Sequence, residues 1–328
     1  MRASWPASMW SALAASLGRP DWWALALAGF LVRGGLLLLI LPIVSLPSPA
    51  SIANLVAPTI ESLGLGGLTP ERGAAAVLIA ASAALLVAIA GTAGAWFDAA
   101  LLRETTADED LAVGWSPTDT SPRGAFGIRL AAHAPTLLLL GYAVVRLIYA
   151  TYDELLSPGD PAVPIVARVI GRAPETVVLV LLAWLAGESV GGLAVRRHAA
   201  GIPTRQALGS SARQLVSRRG LATLVLTTLV VGAVAAPFAW LVGNAWEHLR
   251  SYLAADVTDV QLGAALLVLV AAWILGIAVL GAVLAWRSVA WTVEVGTSRD
   301  RNLGRPSRHA GAERAPVMLR ADLREHPR

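Results

Sequence analysis

The chain has 328 residues, 56% hydrophobic and 15% charged, with a mean hydropathy of +0.63, whereas soluble domains carry roughly 45–50% apolar and about 25% charged residues; an ordinary soluble fold is excluded. The formal charge is +4 with a pI near 10.2, but all 26 basic residues are Arg and sit mainly in connections beside apolar blocks, so no folded basic face for nucleic acid is expected. Without Lys there is no phosphate-loop lysine or Schiff base, and without Cys there is no disulfide, thiolate metal site or Cys nucleophile.

In chain order, residues 1–20 form an amphipathic segment. Met9, Trp10, Leu13 and Leu17 share a helical face, with Ser8 as the expected N-cap and Gly18 as the stop. No apolar core precedes Arg19 and Asp21 to make a cleavable signal, so the first span is read as an uncleaved anchor. Residues 21–295 then hold six apolar blocks: Trp22 to Leu46, Gly73 to Phe97, Leu130 to Tyr149, Thr176 to Val195, Leu221 to Gly243 and Leu262 to Trp286. A helical span needs about 20 apolar residues and a barrel strand only about 9–11. Blocks of 20 to 25 residues are therefore read as helices, and the fold class is all-α, a polytopic transmembrane bundle of six helices.

Positive charge sets the expected orientation, since Arg-rich connections resist translocation. Twenty Arg fall on the side of the termini, in the second and fourth connections and the tail, against four on the other side, which places both termini in the cytoplasm. Trp22, Trp23, Trp96, Trp286 and Trp291 mark the cytoplasmic ends of spans, Trp240 and Trp246 the outer end of the fifth, while Trp184 and Trp273 lie deeper. Spans running outward are each preceded by an amphipathic stretch. In the third, Leu208, Ala212, Leu215 and Val216 face one way, and Arg205, Gln206, Arg213, Ser217 and Arg218 the other, as a helix on anionic lipid requires. The second stretch, around Phe126, Leu130 and His133, is weaker. Three hairpin-like repeats with cytoplasmic interfacial helices follow as an expectation, with plain helical hairpins as the alternative. Residues 296–328 are read as a mobile Arg-rich cytoplasmic tail. Small residues that let helices approach line two spans: Ala76, Ala80, Ala84 and Ala88 in the second, and Ala183, Gly187 and Gly191 in the fourth.

Few residues in the spans can carry chemistry. Arg33 lies eleven residues past Trp22, and Glu188 eight before Arg196, or about 16 and 12 Å along a helix. The depths match, so the two are expected to pair, because an isolated Arg at the bilayer centre costs roughly 2.5–3.5 kcal/mol. That pair is either a substrate or proton site or a structural ion pair, and Arg33 could instead snorkel inward. Arg146 is read as snorkelling outward. Arg129 and His133, one turn apart, and Arg205, Arg213, Arg218 and Arg219 are candidate contacts for lipid headgroups, with a solvated face as the alternative. Glu247, His248, Asp256 and Asp259 match no zinc or calcium spacing, so no metal site and no cofactor are expected. Thr223, Thr227, Thr228, Ser82 and Thr92 are the remaining polar candidates for a path through the spans.

No nucleophile elbow, zinc-protease helix or dinucleotide fingerprint is present, and no catalytic residue is assigned. The phrases Arg33-Gly-Gly-Leu-Leu-Leu-Leu-Ile, Gly191-Gly-Leu-Ala-Val-Arg-Arg and Trp286-Arg-Ser-Val-Ala-Trp-Thr-Val-Glu-Val resemble those of uncharacterised six-span bacterial integral membrane proteins. More distantly, the layout resembles the membrane domain ahead of some glycerophosphodiester phosphodiesterases. The chain lacks a phosphodiesterase domain, so this resemblance carries over no catalytic residue. The reading is a non-enzymatic accessory, scaffold or lipid-interacting bundle of the bacterial cytoplasmic membrane, whose partners are the bilayer and its anionic lipids. A permease with its site at Arg33 and Glu188, and a membrane-embedded lipid enzyme, are the alternatives.

Overall fold

The computed structural model describes residues 4–40, 51, 54, 70–109, 111, 113, 115–160, 163–255 and 258–303; side chains at 37, 38, 72, 75, 76, 79, 80 and 297–303 are outside the description. The described chain is helical: α1 (Trp5–Leu17), α2 (Pro20–Phe30), a wide π-type turn (Leu31–Gly35), α3 (Leu36–Ile40), α4 (Pro70–Ala107), α5 (Pro122–Leu156), α6 (Ile165–Arg172), α7 (Pro174–Ala199), α8 (Thr204–Leu215), α9 (Arg218–Ala254) and α10 (Asp259–Leu303). Among the described residues five segments are long and apolar enough to cross a membrane: Ala81–Ala107, Pro122–Leu156, Pro174–Ala199, Arg218–Ala254 and Asp259–Gly296. They make this a multi-pass membrane protein with a helical-bundle fold. Large apolar side chains such as Leu85, Leu138, Leu182, Leu229 and Leu267 face outward along them, as a hydrocarbon solvent permits.

The first expected span is not one continuous helix. Arg33 (φ −81°, ψ 17°) and Gly34 (φ 103°, ψ −3°) interrupt it, and only glycine takes the latter conformation cheaply. Residues 41–46 of that span lie outside the described residues, as do the tail residues beyond Leu303, up to which α10 remains helical.

The bundle is densely packed at one end. There α1, the described residues Leu111, Val113 and 115–121 of the next connection, and α8 pack on the ends of α2, α4, α5, α7, α9 and α10. Met9, Trp22, Ala26, Leu101, Trp286 and Val289 form one core, and Leu102, Trp115, Leu193, Trp291 and Val295 another. Trp22, Trp286 and Trp291 are thus buried in protein, where the overlying α1 with Leu111, Val113 and Trp115 replaces lipid headgroups as their surroundings. α1 starts four residues earlier than expected, with Ser4 rather than Ser8 as N-cap; its hydroxyl accepts from Ala7 N–H. The buried face of α1 is Ser8, Met9, Ala12 and Ser16, so Trp10 and Leu17 point outward. The stretch around Phe126 is no separate interfacial helix: α5 runs unbroken from Pro122.

The glycine stripe of α7 packs on α5. A Cβ at Gly187 would come 3.1 Å from Ala132 O, and one at Gly191 3.3 Å from Ala132 Cβ, so the small residues allow this close approach. The alanine stripe of α4 does otherwise: Ala84 and Ala88 are exposed among the described residues.

Candidate functional site

The unbroken length of α4 places Asp98 inside the bundle. Gly94, Asp98 and Leu101, at i, i+4 and i+7, face the break after α2, and Glu188, Gly192 and Arg196 form the matching stripe on α7. Arg33, at the break, reaches across α4. Its Nη1 lies 3.0 Å from Asp98 Oδ1 and donates to Gly94 O at 3.4 Å, while its Nε is 3.7 Å from Glu188 Oε1. A Cβ at Gly94 would sit 2.8 Å from Arg33 Cγ, so a bare backbone is what lets the arginine pass. Arg129 of α5 bridges both acids, with Nη2 2.5 Å from Asp98 Oδ2 and Nη1 donating to Glu188 Oε2 at 3.1 Å. His133 sets Nδ1 2.9 Å from Arg129 O and Nε2 3.4 Å from Glu188 Oε1, so both ring nitrogens face acceptors.

Arg33 and Glu188 are thereby brought together, but each has a nearer partner, Asp98 and Arg129 respectively. Arg129 and His133, candidate lipid contacts in the sequence, turn inward onto these acids.

Two more arginines stand beside this quartet. Arg196 is only 9% exposed. Its Nε donates to Thr292 Oγ1 at 2.9 Å, Nη1 to Gly192 O at 2.8 Å, and Nη2 to Ser288 O at 2.9 Å and Ser288 Oγ at 2.5 Å. Hydroxyls and carbonyls satisfy its donors, but no carboxylate within 4.0 Å balances its charge among the described residues. Arg287, one turn before Trp291 on α10, has no hydrogen bond or ion pair to any described residue.

These side chains border a cavity of about 500 Å³. Its lining carries Arg33, Arg129, Arg196 and Arg287 against Asp98 and Glu188, leaving two positive charges in excess. The rest of the lining is largely apolar and includes Phe30, Leu181, Trp184, Val231 and Leu284. Helices α7 and α9 make almost no contact with each other. Leu181 of α7, 56% exposed, and the exposed Gly232 of α9 line the cavity at that gap, so it opens sideways there among the described residues.

Other candidates are placed elsewhere. Thr228 lines the cavity, but Thr223 and Thr227 are buried in contact with their own helix, Thr223 also accepting from Trp5 Nε1 at 2.9 Å. Ser82 and Thr92 are exposed, Thr92 donating to Ala88 O. Arg146 lies 3.4 Å from Glu175 at the surface. Arg219 Nε binds the fully buried Glu294 at 2.6 Å and so ties α9 to α10. Arg205, Arg213 and Arg218 are exposed with no ion pair among the described residues. Glu247 pairs with Arg250 at 2.6 Å, and Asp256 lies outside the described residues.

Sequence reasoning passed over Asp98, Arg196 and Arg287. Asp98 directly follows the expected span end at Phe97, and the signal missed was the apolar run Ala99-Ala100-Leu101-Leu102 beyond it, which keeps the helix going. Arg196 and Arg287 resemble ordinary positive flanks of a span. No family model, no curated protein and no solved structure matches the chain, so the chemistry of the site is argued from its own geometry.

Proposed function

We propose that this is a multi-pass protein of the bacterial cytoplasmic membrane, with both termini cytoplasmic, that acts without catalysis by holding an anionic amphiphile in the cavity between α7 and α9. The excess of four arginines over two carboxylates in the cavity lining carries this reading. Charge without a counter-ion is costly in low dielectric, and an anion entering the cavity offsets it. The apolar part of the lining and the sideways opening fit the tail of a molecule arriving from the bilayer. The Arg asymmetry supports the orientation, and the outward-facing Trp10 and Leu17 of α1 fit an interfacial helix.

Native mass spectrometry of the full chain in mild detergent tests the binding. A retained anionic lipid that diminishes in Arg287→Gln is expected; a chain that sheds all lipid as readily as Arg287→Gln does would refute it. Single cysteines at Asp160 and Ser210 test the orientation in this thiol-free chain: an impermeant reagent on intact cells should label Asp160→Cys alone.

A permease is the second reading, favoured by the break at Arg33 and Gly34 at the charged site, since broken helices mark binding sites in transporters. Gly34→Ala, strained at φ 103°, should then stop solute movement in proteoliposomes while lipid retention persists.

A further inference from the structure

We infer that the headgroup held in the cavity is the phosphomonoester of a lipid, bound through the guanidinium of Arg287; this rests on the anionic-amphiphile reading above. Charge stoichiometry makes the selection. The Arg33, Arg129, Asp98 and Glu188 quartet is balanced, and Arg196 and Arg287 add two positive charges. A carboxylate or phosphodiester brings one negative charge and leaves one arginine unmatched. A phosphomonoester carries about −1.5 to −2 near neutral pH and brings three acceptor oxygens.

The two unmatched arginines divide the task. Arg196 spends its donors on Thr292, Gly192 and Ser288, so it is a fixed positive charge held rigidly between α7 and α10. Arg287 borders the same space with all its donors unspent among the described residues. Its planar fork matches two phosphate oxygens at once. The size is consistent with this division: about 500 Å³ accommodates a headgroup and the start of a chain. The remainder of the tail passes out between Leu181 and Gly232 into the surrounding hydrocarbon.

The test uses the full chain in detergent, with binding measured by native mass spectrometry for dioleoyl phosphatidic acid, dioleoyl phosphatidylglycerol and oleate. Glycerol 3-phosphate and inorganic phosphate serve as soluble competitors. Phosphatidic acid should bind about tenfold or more tightly than the two monoanions, the scale of one charged hydrogen-bonded contact. Arg287→Gln should erase this preference, and Arg287→Lys, which keeps the charge and loses the fork, should retain part of it. Arg146→Gln, remote from the cavity, should behave as the parent chain. Melting curves establish that each variant is folded, and the charge-conserving Arg287→Lys stands in if Arg287→Gln is not. Equal binding of the three lipids by the parent chain overturns the phosphomonoester assignment and leaves the anionic-amphiphile reading intact. Failure of all three to bind overturns that reading as well. Displacement of phosphatidic acid by equimolar inorganic phosphate or glycerol 3-phosphate would overturn a lipid source and assign the site to a soluble phosphate.

Discussion

Glu154 and Glu188 are both held by two arginines, yet their surroundings differ. Glu154, where α5 ends, accepts from Arg172 Nε at 2.6 Å and Gly159 N–H at 2.7 Å and lies 2.8 Å from Arg168 Nε. The spare donors of those arginines go to backbone carbonyls of Ser157 and Asp160, and Arg172 is 38% exposed. Arg172 thus keeps the extra positive charge there close to water, and the cluster closes the turn between α5 and α6. Around Glu188 and Asp98 the extra charge sits instead on Arg196 and Arg287, beside an amphipathic cavity inside the dense end of the bundle. Charge imbalance near solvent costs little; the same imbalance in the interior calls for a ligand.

The largest effect should come from breaking the interior cluster. Glu188→Gln or Asp98→Asn leaves arginine buried without its carboxylate, a loss of about 3–5 kcal/mol, which should appear as reduced accumulation in membranes and a lower melting temperature in detergent. A reciprocal swap, Arg33→Glu with Glu188→Arg, sharpens the point. If the two formed an isolated pair the swap would restore stability. In the observed network it sets an arginine against Arg129 and a glutamate against Asp98, so the double variant should be no more stable than either single one.

Glu154→Gln should have a smaller effect than Glu188→Gln in the same melting assay, since Arg172, one of the two arginines it frees, is 38% exposed and reaches water; an equal or greater loss would contradict the contrast drawn between the two clusters. The smallest effect belongs to Asp119, in the connection between α4 and α5. Hydrogen bonds from Ser121, the backbone N–H at 2.8 Å foremost, hold its carboxyl below the ordinary 3.8, with His198 contributing at 3.4 Å. A depressed folded value means that its stabilisation is complete above pH 3.8 and declines as the pH falls through the lower folded value. An acid titration of the melting temperature should therefore show a slightly steeper decline for the parent chain than for Asp119→Asn.

Much of this was legible from composition and spacing. Long apolar blocks dictate membrane helices because the backbone has no other partner in hydrocarbon, and Arg33 and Glu188 stood out because charge is rare there. Gly187 and Gly191 likewise announced a close helix contact, made with α5. Ala84 and Ala88 have no such neighbour among the described residues, since small residues permit close approach but do not cause it.

What the chain decides by itself is thus the solvent of its helices and the presence of intramembrane charge, since both follow from transfer energies of individual residues. Which charges balance and which are left over was decided only in three dimensions. Asp98 enters the bundle because α4 continues past Phe97, and Arg196 and Arg287 become interior residues because α1, Leu111, Trp115 and α8 pack over the helix ends that would otherwise lie at the membrane surface. Net charge in a cavity is a sum over side chains from several helices, and no single stretch of sequence contains that sum.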